Sequence, residues 1–357
     1  MEKVSLKEMM NKVLNNGWHI RTTAIPVDDR CLKTTMIMEV VFGNKANKRK
    51  QLRNLIVDLL NSSEKDKLEI NKLFDFLDIQ RLKHVLICYL YGCYFYKTEN
   101  FVKTNIDRSI NGIWTNSEGR SDESKFLLSW LLISLFHDIG YSMEQNDKRN
   151  ENVFEEYKVE ELLELDCQIE KYIPFFGKDI PECYENSPVK YDTYRKISGI
   201  AKHKDPTFDH GIYGGIMLKK SLDKHNESHE YYMPKQFYDH LAWVIICHNM
   251  WFAHDDNMQY MYKTIGLDNL CVDKRDYRIT IKKAPLLWLL SVVDNIETTK
   301  RHVPLKKMNN IYVNKLTEDK VEMYIDEDLS DRKVKKYYST IQGLNDWLIS
   351  ANVISGV

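Results

Sequence analysis

An apolar run that ends in a His-Asp pair is the feature of this sequence best suited to chemistry. Residues 126–136 are almost entirely apolar, and His137 and Asp138 follow at once. Burying an imidazole and a carboxylate at the end of such a helix is costly unless a partner compensates them. A divalent metal ion would do so, because both groups suit hard or borderline cations. The alternative is a core histidine that is satisfied by its own neighbour.

Four further candidate ligands lie on apolar segments of the same kind. His84 lies inside one segment, His210 opens another, and His248 ends a third. Asp294 interrupts a fourth, and an ionised aspartate is rarely buried without a partner. Each segment is predicted to be a separate helix. Four imidazoles and two carboxylates are enough for two metal ions with one bridging carboxylate.

The order His, His-Asp, His, His, Asp resembles the HD superfamily of metal-dependent phosphohydrolases. The resemblance extends over about residues 81–302 and depends on His84, His137, Asp138, His210, His248 and Asp294. A second His-Asp dipeptide, at positions 254 and 255, stands in a polar stretch and is interpreted as a solvated loop. The resemblance implies an irregular helical bundle and a hydrolase in which a metal-activated water cleaves a phosphoester or phosphoanhydride bond of a nucleotide.

The resemblance also implies which residues hold the metal, with Mn²⁺, Mg²⁺ or Fe²⁺ as the expected ions. The first ion would be held by His84, His137, Asp138 and Asp294. A second ion would be held by His210 and His248 and would share Asp138. In the alternative arrangement the enzyme is mononuclear, and these two histidines contact the substrate or act as an acid.

Two arginines are candidates for binding a phosphate beside the metal. Arg81 precedes His84 by three residues, so the two share a helical face. An Arg at this offset resembles the Arg-x-x-His motif of deoxynucleotide triphosphohydrolases in the superfamily. Asp294, Thr298 and Arg301 are spaced at i, i+4 and i+7, which would bring Arg301 to the same site if one helix carried all three. The alternative for both arginines is a solvated surface position.

Three more residues are candidates for catalysis or substrate binding. Tyr141 stands where triphosphohydrolases typically have a histidine and the cyclic-dinucleotide branch a lysine, so the sequence selects neither substrate. It could donate a hydrogen bond to the substrate or simply pack. Glu144, one turn later, could assist the catalytic Asp138 as a base or support a metal ligand, or be an exposed carboxylate. His203 could be the general acid when protonated, or part of a solvated basic loop.

The amino-acid composition indicates which partners and which compartment to expect. The 357 residues carry 51 Lys and Arg and 52 Asp and Glu, a net charge of −1. No global basic field favours bulk nucleic-acid binding, although a small nucleotide remains a suitable partner. Several of the seven cysteines lie in apolar segments, which predicts reduced, buried thiols. The sequence has neither a leader-like N-terminus nor a run of the ~20 apolar residues that span a bilayer. We therefore expect a cytoplasmic protein without a membrane partner, which could form a homo-oligomer.

We predict three regions in a mainly α-helical chain. Residues 1–80 are predicted to hold a helix over 5–14, a strand over 34–42 and further helices. Residues 81–302 would form the HD-type core, with insertions at 100–124 and 151–203. Residues 303–357 are predicted to form a β-hairpin and a helix. The hairpin strands lie at 310–315 and 321–326, and the helix at 330–349 with Ser330 as its N-cap.

Two other functions fit the same ligand set. Mixed-valent di-iron oxygenases of the superfamily, which resemble inositol oxygenase, also use four histidines and two aspartates. Metal identity and oxygen consumption would separate them from a hydrolase. A non-catalytic nucleotide sensor with a structural metal site is the third possibility.

Overall fold

The computed structural model describes residues 3–18, 79–114, 121–141, 210–228, 234–249, 279–301, 303–328, 330–348 and 350–355. This part of the chain is mostly helical, with a small sheet built mainly from C-terminal strands, as predicted. The helices are α1 (Leu6–Asn15), α2 (Ile79–Thr98), α3 (Asn100–Ile113), α4 (Asp122–Phe136), α5 (His210–Ser228), α6 (Lys235–Cys247), α7 (Pro285–Ile296) and α8 (Arg332–Trp347). The strands are β1 (Val4–Ser5), β2 (Ile311–Leu316), β3 (Lys320–Ile325) and β4 (Ser350–Ser355).

Helix α4 lies at the centre of the helical part. Ser121 caps its start by accepting a hydrogen bond from the Ser124 N–H at 3.2 Å. Asp122 and Glu123 in the first turn also favour this end, because negative charge stabilises a helix N-terminus. From Lys125 onward every residue of the helix is buried, and α2, α3, α5 and α6 pack around it. An all-round apolar sequence therefore forms a core helix that ends at His137.

Helix α7 is the second fully buried helix. Pro285 occupies its first turn, where a missing N–H costs no hydrogen bond, and all twelve residues are buried. It packs against α2, α3, α4 and α6. Among the described residues no helix is both long and apolar enough to cross a bilayer.

Helices α4, α5 and α6 approach one another closely at two consecutive glycines, Gly214 and Gly215. A Cβ atom on Gly214 would collide with the Phe136 carbonyl oxygen, so this position admits no larger residue. A Cβ atom on Gly215 would lie 2.6 Å from the Ile246 side chain. The two glycines thus let the start of α5 pack against the end of α4, where the His-Asp pair lies.

The sheet has the order β1-β2-β3-β4. Strands β2 and β3 form the predicted hairpin, with Tyr312 opposite Tyr324. Strand β1 pairs antiparallel with β2, and β4 pairs parallel with β3 after the crossover through α8. Alternate residues such as Val313 and Met323 face the core. The sequence did not predict β1 or β4, because their partners are remote in the chain.

The first and the last helix both lie close to their predicted positions, but their bounds differ from the prediction by different amounts. The helix predicted over 5–14 is confirmed with a shift of one residue, since Ser5 is its N-cap and accepts from the Glu8 N–H. The C-terminal helix begins later than predicted, because Asp331 rather than Ser330 is the N-cap. The Asp331 carboxylate accepts from the Lys333 N–H at 2.9 Å. This helix ends at Trp347, so its predicted last two residues lie outside it.

The first predicted insertion contains part of the core. Within residues 100–124, helix α3 buries one apolar face that includes Val102, Ile106 and Ile110. The strand predicted over 34–42, the helices predicted after it and the insertion over 151–203 lie outside the described residues. The prediction of buried thiols is confirmed for Cys88, Cys93 and Cys247.

Candidate metal centre

The six predicted metal ligands come together from five helices. His84 lies in the first turns of α2, and Asp294 lies near the end of α7. His137 and His248 are the C-caps of α4 and α6, and His210 is the first residue of α5. Asp138 directly follows α4. Each of the six residues exposes at most 1% of its surface, so the polar cluster lies inside the apolar core.

Four of the ligands surround one point. The Nε2 atom of His84 lies 2.9 Å from Oδ1 of Asp294, 3.1 Å from Nε2 of His137 and 3.6 Å from Oδ2 of Asp138. His137 Nε2 lies 3.5 Å from Asp138 Oδ1 and 3.7 Å from Asp294 Oδ1. Metal–ligand bonds of about 2.1 Å at angles of 90–109° place neighbouring ligand atoms roughly 3.0–3.4 Å apart. The observed separations, 2.9–3.7 Å, lie within about 0.3 Å of this range, so small side-chain rotations would bring the four residues around one metal ion.

The ring nitrogens that face this point are the Nε2 atoms of His84 and His137. His84 Nδ1 lies 2.6 Å from the Glu297 carboxylate, and His137 Nδ1 lies 2.8 Å from the Ser134 carbonyl oxygen. Both partners are acceptors, so each Nδ1 carries a hydrogen and each Nε2 faces inward. The two Nε2 atoms lie 3.1 Å apart, and two lone pairs at this distance repel unless a cation or a proton lies between them. Burial lowers the pKa of His84, but the neighbouring carboxylates of Asp138 and Glu297 help to raise it well above its usual value, so a proton takes this place when no metal is bound.

The other two histidines form a second group with Asp138. One nitrogen or oxygen from each of Asp138, His210 and His248 lies within 4.8 Å of the others. His210 Nε2 lies 3.5 Å from Asp138 Oδ1, the atom that also faces His137. This arrangement gives Asp138 the position of a bridging carboxylate between two groups of ligands.

His248 has the form that a metal ligand requires. Its Nδ1 donates to the Ile245 carbonyl oxygen at 2.6 Å, and its buried Nε2 has no hydrogen-bond partner among the described residues. Burial and, to a smaller extent, the nearby imidazoles of His210 and His137 lower the pKa of His248 to about 3. The ring is therefore neutral at physiological pH, with its Nε2 lone pair directed to the cluster.

Both aspartates are ionised in spite of their burial. Burial alone would raise the pKa of the Asp138 carboxyl, but the Lys300 ammonium and three neighbouring imidazoles hold it well below its usual range. Burial acts on Asp294 in the same way, and Lys300 together with hydrogen bonds from His137 and His84 lowers its pKa strongly. The cluster thus holds two carboxylates able to bind a cation.

Glu297 is a site residue that the sequence reasoning missed. This buried residue follows α7 in an extended conformation. Its Oε2 faces His84 Nδ1, and its Oε1 accepts from the Thr299 N–H at 2.8 Å. Burial would raise the pKa of Glu297, but the charge and hydrogen bond of His84 lower it. Its position three residues after Asp294 was the available signal.

Cys88 was also missed, although it lies one turn after His84 on α2. Its Sγ atom lies 3.8 Å from both ring nitrogens of His84, and it joins the group of possible ligands with His137 and Asp294. Burial raises the pKa of Cys88 to about 12. The thiol therefore stays protonated and packs against the imidazole.

Lys300, the neighbour of Arg301, lies beside the candidate ligands, whereas the site role predicted for Arg301 stays a prediction. Helix α7 ends at Ile296, and the extended Glu297 breaks the helical spacing from Asp294 to Arg301. The helical-face argument for Arg301 is therefore wrong; this residue ends a short 3-10 turn, and its side chain lies outside the described part. The Lys300 Nζ instead lies 3.2 Å from Asp138 Oδ1 and 3.1 Å from Asp294 Oδ1.

Arg81 and Tyr141 adjoin the ligands, as predicted. Arg81 Nη1 lies 3.3 Å from Asp138 Oδ2, and its Cζ lies 3.1 Å from the centre of the Tyr141 ring. The opposite face of Tyr141 stacks on His210, with ring centres 3.6 Å apart. Of the alternatives for Tyr141, packing is therefore observed. The two faces of its ring are covered by Arg81 and His210, which leaves neither open for a nucleobase.

Gly140 permits the close approach of two ligand-bearing segments. A Cβ atom at this position would collide with the backbone carbonyl of His210. The glycine thus lets the start of α5 lie directly beside the His-Asp turn. The remaining predicted catalytic residues, Glu144 and His203, and the second His-Asp dipeptide at 254 and 255, lie outside the described residues.

Comparison of the chain with models of protein families, with curated proteins and with solved structures gave no match. The assignment of function therefore depends on the residues and geometry of the cluster.

Proposed function

We propose that this chain is a metal-dependent phosphohydrolase of the HD type that acts on a nucleotide, either a nucleoside triphosphate or a phosphodiester. The observation that carries the proposal is the convergence of imidazole Nε2 atoms and ionised carboxylates in a buried cluster. The Nε2 atoms of His84 and His137 and the Oδ1 atom of Asp294 lie within 3.7 Å of one another, and the hydrogen-bonded Nδ1 atoms of the two histidines face away. A cluster of this composition is unfavourable unless a cation compensates it.

The donor set suits Mn²⁺, Mg²⁺ or Fe²⁺, because it mixes imidazole nitrogen with carboxylate oxygen. His84, His137, Asp138 and Asp294 would hold one ion, and His210 and His248 would hold a second one that shares Asp138. Bound there, metal ions would lower the pKa of a water and offer positive charge to phosphate oxygens.

The charges beside the cluster favour an anionic substrate. The side chain of Arg81 is 22% exposed and that of Lys300 is 15% exposed, whereas the ligands are almost fully buried. The two cations therefore lie on the side of the cluster that is nearest to solvent. Guanidinium and ammonium groups there would pair with phosphate oxygens, and the planar Arg81 fork could bind two of them. This charge supports a phosphohydrolase over an oxygenase that acts on a neutral polyol.

The test is a hydrolysis screen that uses metal-supplemented protein. Nucleoside triphosphates, cyclic and linear dinucleotides and a generic phosphodiester would be incubated with Mn²⁺, Mg²⁺ or Fe²⁺. We expect release of phosphate, triphosphate or nucleotide that disappears in Asp138→Asn. Asp107→Asn is the matched control, since Asp107 pairs with Lys103 on α3 away from the cluster.

Two results would contradict the proposal. Two bound irons with oxygen uptake and no hydrolysis would identify the oxygenase. Tight nucleotide binding with a fully loaded metal site and no turnover of any substrate would identify a sensor.

A further inference from the structure

We propose that Lys300 is an internal counter-cation that competes with metal ions for Asp138 and Asp294, so that the chain itself limits how tightly the last ion binds. The inference depends on the metal centre of the proposed function. It goes beyond that proposal because it assigns a role in metal affinity to a residue outside the ligand set.

The geometry places one ammonium between two carboxylates. Lys300 Nζ lies 3.2 Å from Asp138 Oδ1, and 3.1 and 3.5 Å from the two oxygens of Asp294. The carboxylates come from different helices, so the lysine joins the end of α4 to the end of α7. In the metal-free protein this contact offsets the repulsion between two buried negative charges.

The position of Lys300 is fixed by Glu297. The backbone N–H of Lys300 donates to Glu297 Oε2 at 3.2 Å, and the same oxygen accepts from His84 Nδ1. The residue that orients a metal ligand therefore also orients the backbone that carries the lysine. The ammonium is held by the site and is not a mobile surface charge.

Lys300 contacts the oxygen of Asp138 that would bind a second ion. Asp138 Oδ2 faces His84 and Arg81, at 3.6 and 3.3 Å. Asp138 Oδ1 faces His210 at 3.5 Å and Lys300 at 3.2 Å. An ion held by Asp138, His210 and His248 would use the oxygen that Lys300 occupies. Binding of that ion therefore requires the ammonium to turn away.

A plain substrate-binding role for Lys300 makes a different prediction. If the ammonium served the substrate alone, its removal would weaken substrate binding and leave metal affinity unchanged. Competition instead predicts that metal binds more tightly when the positive charge of Lys300 is removed. The metal ion then no longer has to displace the ammonium from the carboxylates that both cations share. The sign of the change in metal affinity decides between them.

The experiment is a titration of metal-stripped protein with Mn²⁺. Calorimetry measures the heat of binding, and electron paramagnetic resonance measures the concentration of the free ion. We expect Lys300→Met to bind the last Mn²⁺ ion about tenfold more tightly than the wild type. Lys300→Arg, which keeps the charge, should resemble the wild type. Lys219→Met is the matched control, because Lys219 is also largely buried and pairs with Asp223 farther along α5.

Thermal unfolding gives a second readout that is independent of activity. The metal-free Lys300→Met variant should melt at a lower temperature than the wild type. Added Mn²⁺ should raise its melting temperature by more than it raises that of the wild type. Lys300→Gln serves in its place if the methionine variant does not fold. Equal or weaker Mn²⁺ binding by the charge-removing variants would overturn the inference. Absence of Mn²⁺ and Fe²⁺ binding by the wild type would overturn the proposed metal centre, and the inference with it.

Discussion

The Nδ1 atom of His84 lies 2.6 Å from Oε2 of Glu297, and this contact determines the direction of the imidazole. Because Nδ1 is engaged, Nε2 faces Asp294 and His137. Carboxylate–histidine pairs of this kind fix the tautomer of a metal ligand and raise its basicity. Glu297 is thus a positioning residue for the cluster.

We predict that Glu297→Gln weakens metal binding by about 10–100-fold, because the amide keeps the shape of the side chain but loses its charge. Competition with a chromophoric chelator would measure the change. Glu322→Gln, which removes a charge on the sheet where Glu322 pairs with Lys320, is the control and should have no effect. Unchanged affinity in Glu297→Gln would remove Glu297 from the account of the site.

Arg81→Met should leave the metal bound and impair catalysis, through a higher KM or a lower kcat. The guanidinium lies beside Asp138 but supplies no lone pair to a cation, so its role is toward the substrate. Steady-state kinetics and metal content would be measured on the same preparation. Arg108→Met, at an exposed position of α3, is the control. Loss of metal from Arg81→Met would contradict a substrate-binding role.

Gly140→Ala should destabilise the fold by about 1–3 kcal/mol or more, because the new methyl group collides with the backbone of His210. Urea denaturation would give the free energy of unfolding. The control is Gly112→Ala on α3, where an added Cβ atom meets nothing within 4 Å. That variant should be as stable as the wild type or slightly more stable. Equal stability of the two variants would show that α5 does not approach Gly140 so closely.

His240 should make stability depend on pH below neutrality. Burial lowers the pKa of His240 from 6.5 to about 4. The unfolded chain therefore binds a proton that the folded chain does not bind between these values, and the free energy of unfolding falls as pH decreases from 6.5 towards 4. Above pH 7 the residue contributes no pH dependence. A shift of this size corresponds to about 3 kcal/mol at most.

The measurement is denaturation of the metal-free protein at several pH values, compared with His240→Gln. The variant should lose less stability than the wild type between pH 6.5 and 4. Its remaining slope would come from other groups such as His248, whose pKa burial lowers to about 3. Parallel curves for the two proteins would contradict the prediction.

The cluster of candidate ligands could be predicted from sequence because each candidate begins, interrupts or ends an apolar segment. A polar residue in such a place needs a reason, and Asp294 and His248 show that the reason is a shared cluster. Glu297 lacks this signal, because a polar run from Thr298 to Arg301 follows it. The helical-face argument at Arg301 failed because it required α7 to continue beyond Ile296. The extended backbone of Glu297, which directs Lys300 to the cluster, has no local sequence signal.

In the sheet, too, the local pairing could be predicted from sequence and the pairing between remote segments could not. The β2–β3 hairpin follows from alternation and a short turn, and both are local properties. Strand β4 pairs Val353 with Met323, across the whole of α8, and a six-residue segment at the end of a helical pattern gives no indication of that partner.

Metal content of the purified protein, determined by mass spectrometry on wild type and Asp138→Ala, tests the central claim most directly. Both proteins would be prepared without chelator and checked for native secondary structure by circular dichroism, with Asp107→Ala as the folded control. We predict at least one equivalent of transition metal or Mg²⁺ in the wild type and the control, and loss of metal and turnover in Asp138→Ala. Equal metal content and full activity in folded Asp138→Ala would contradict the account.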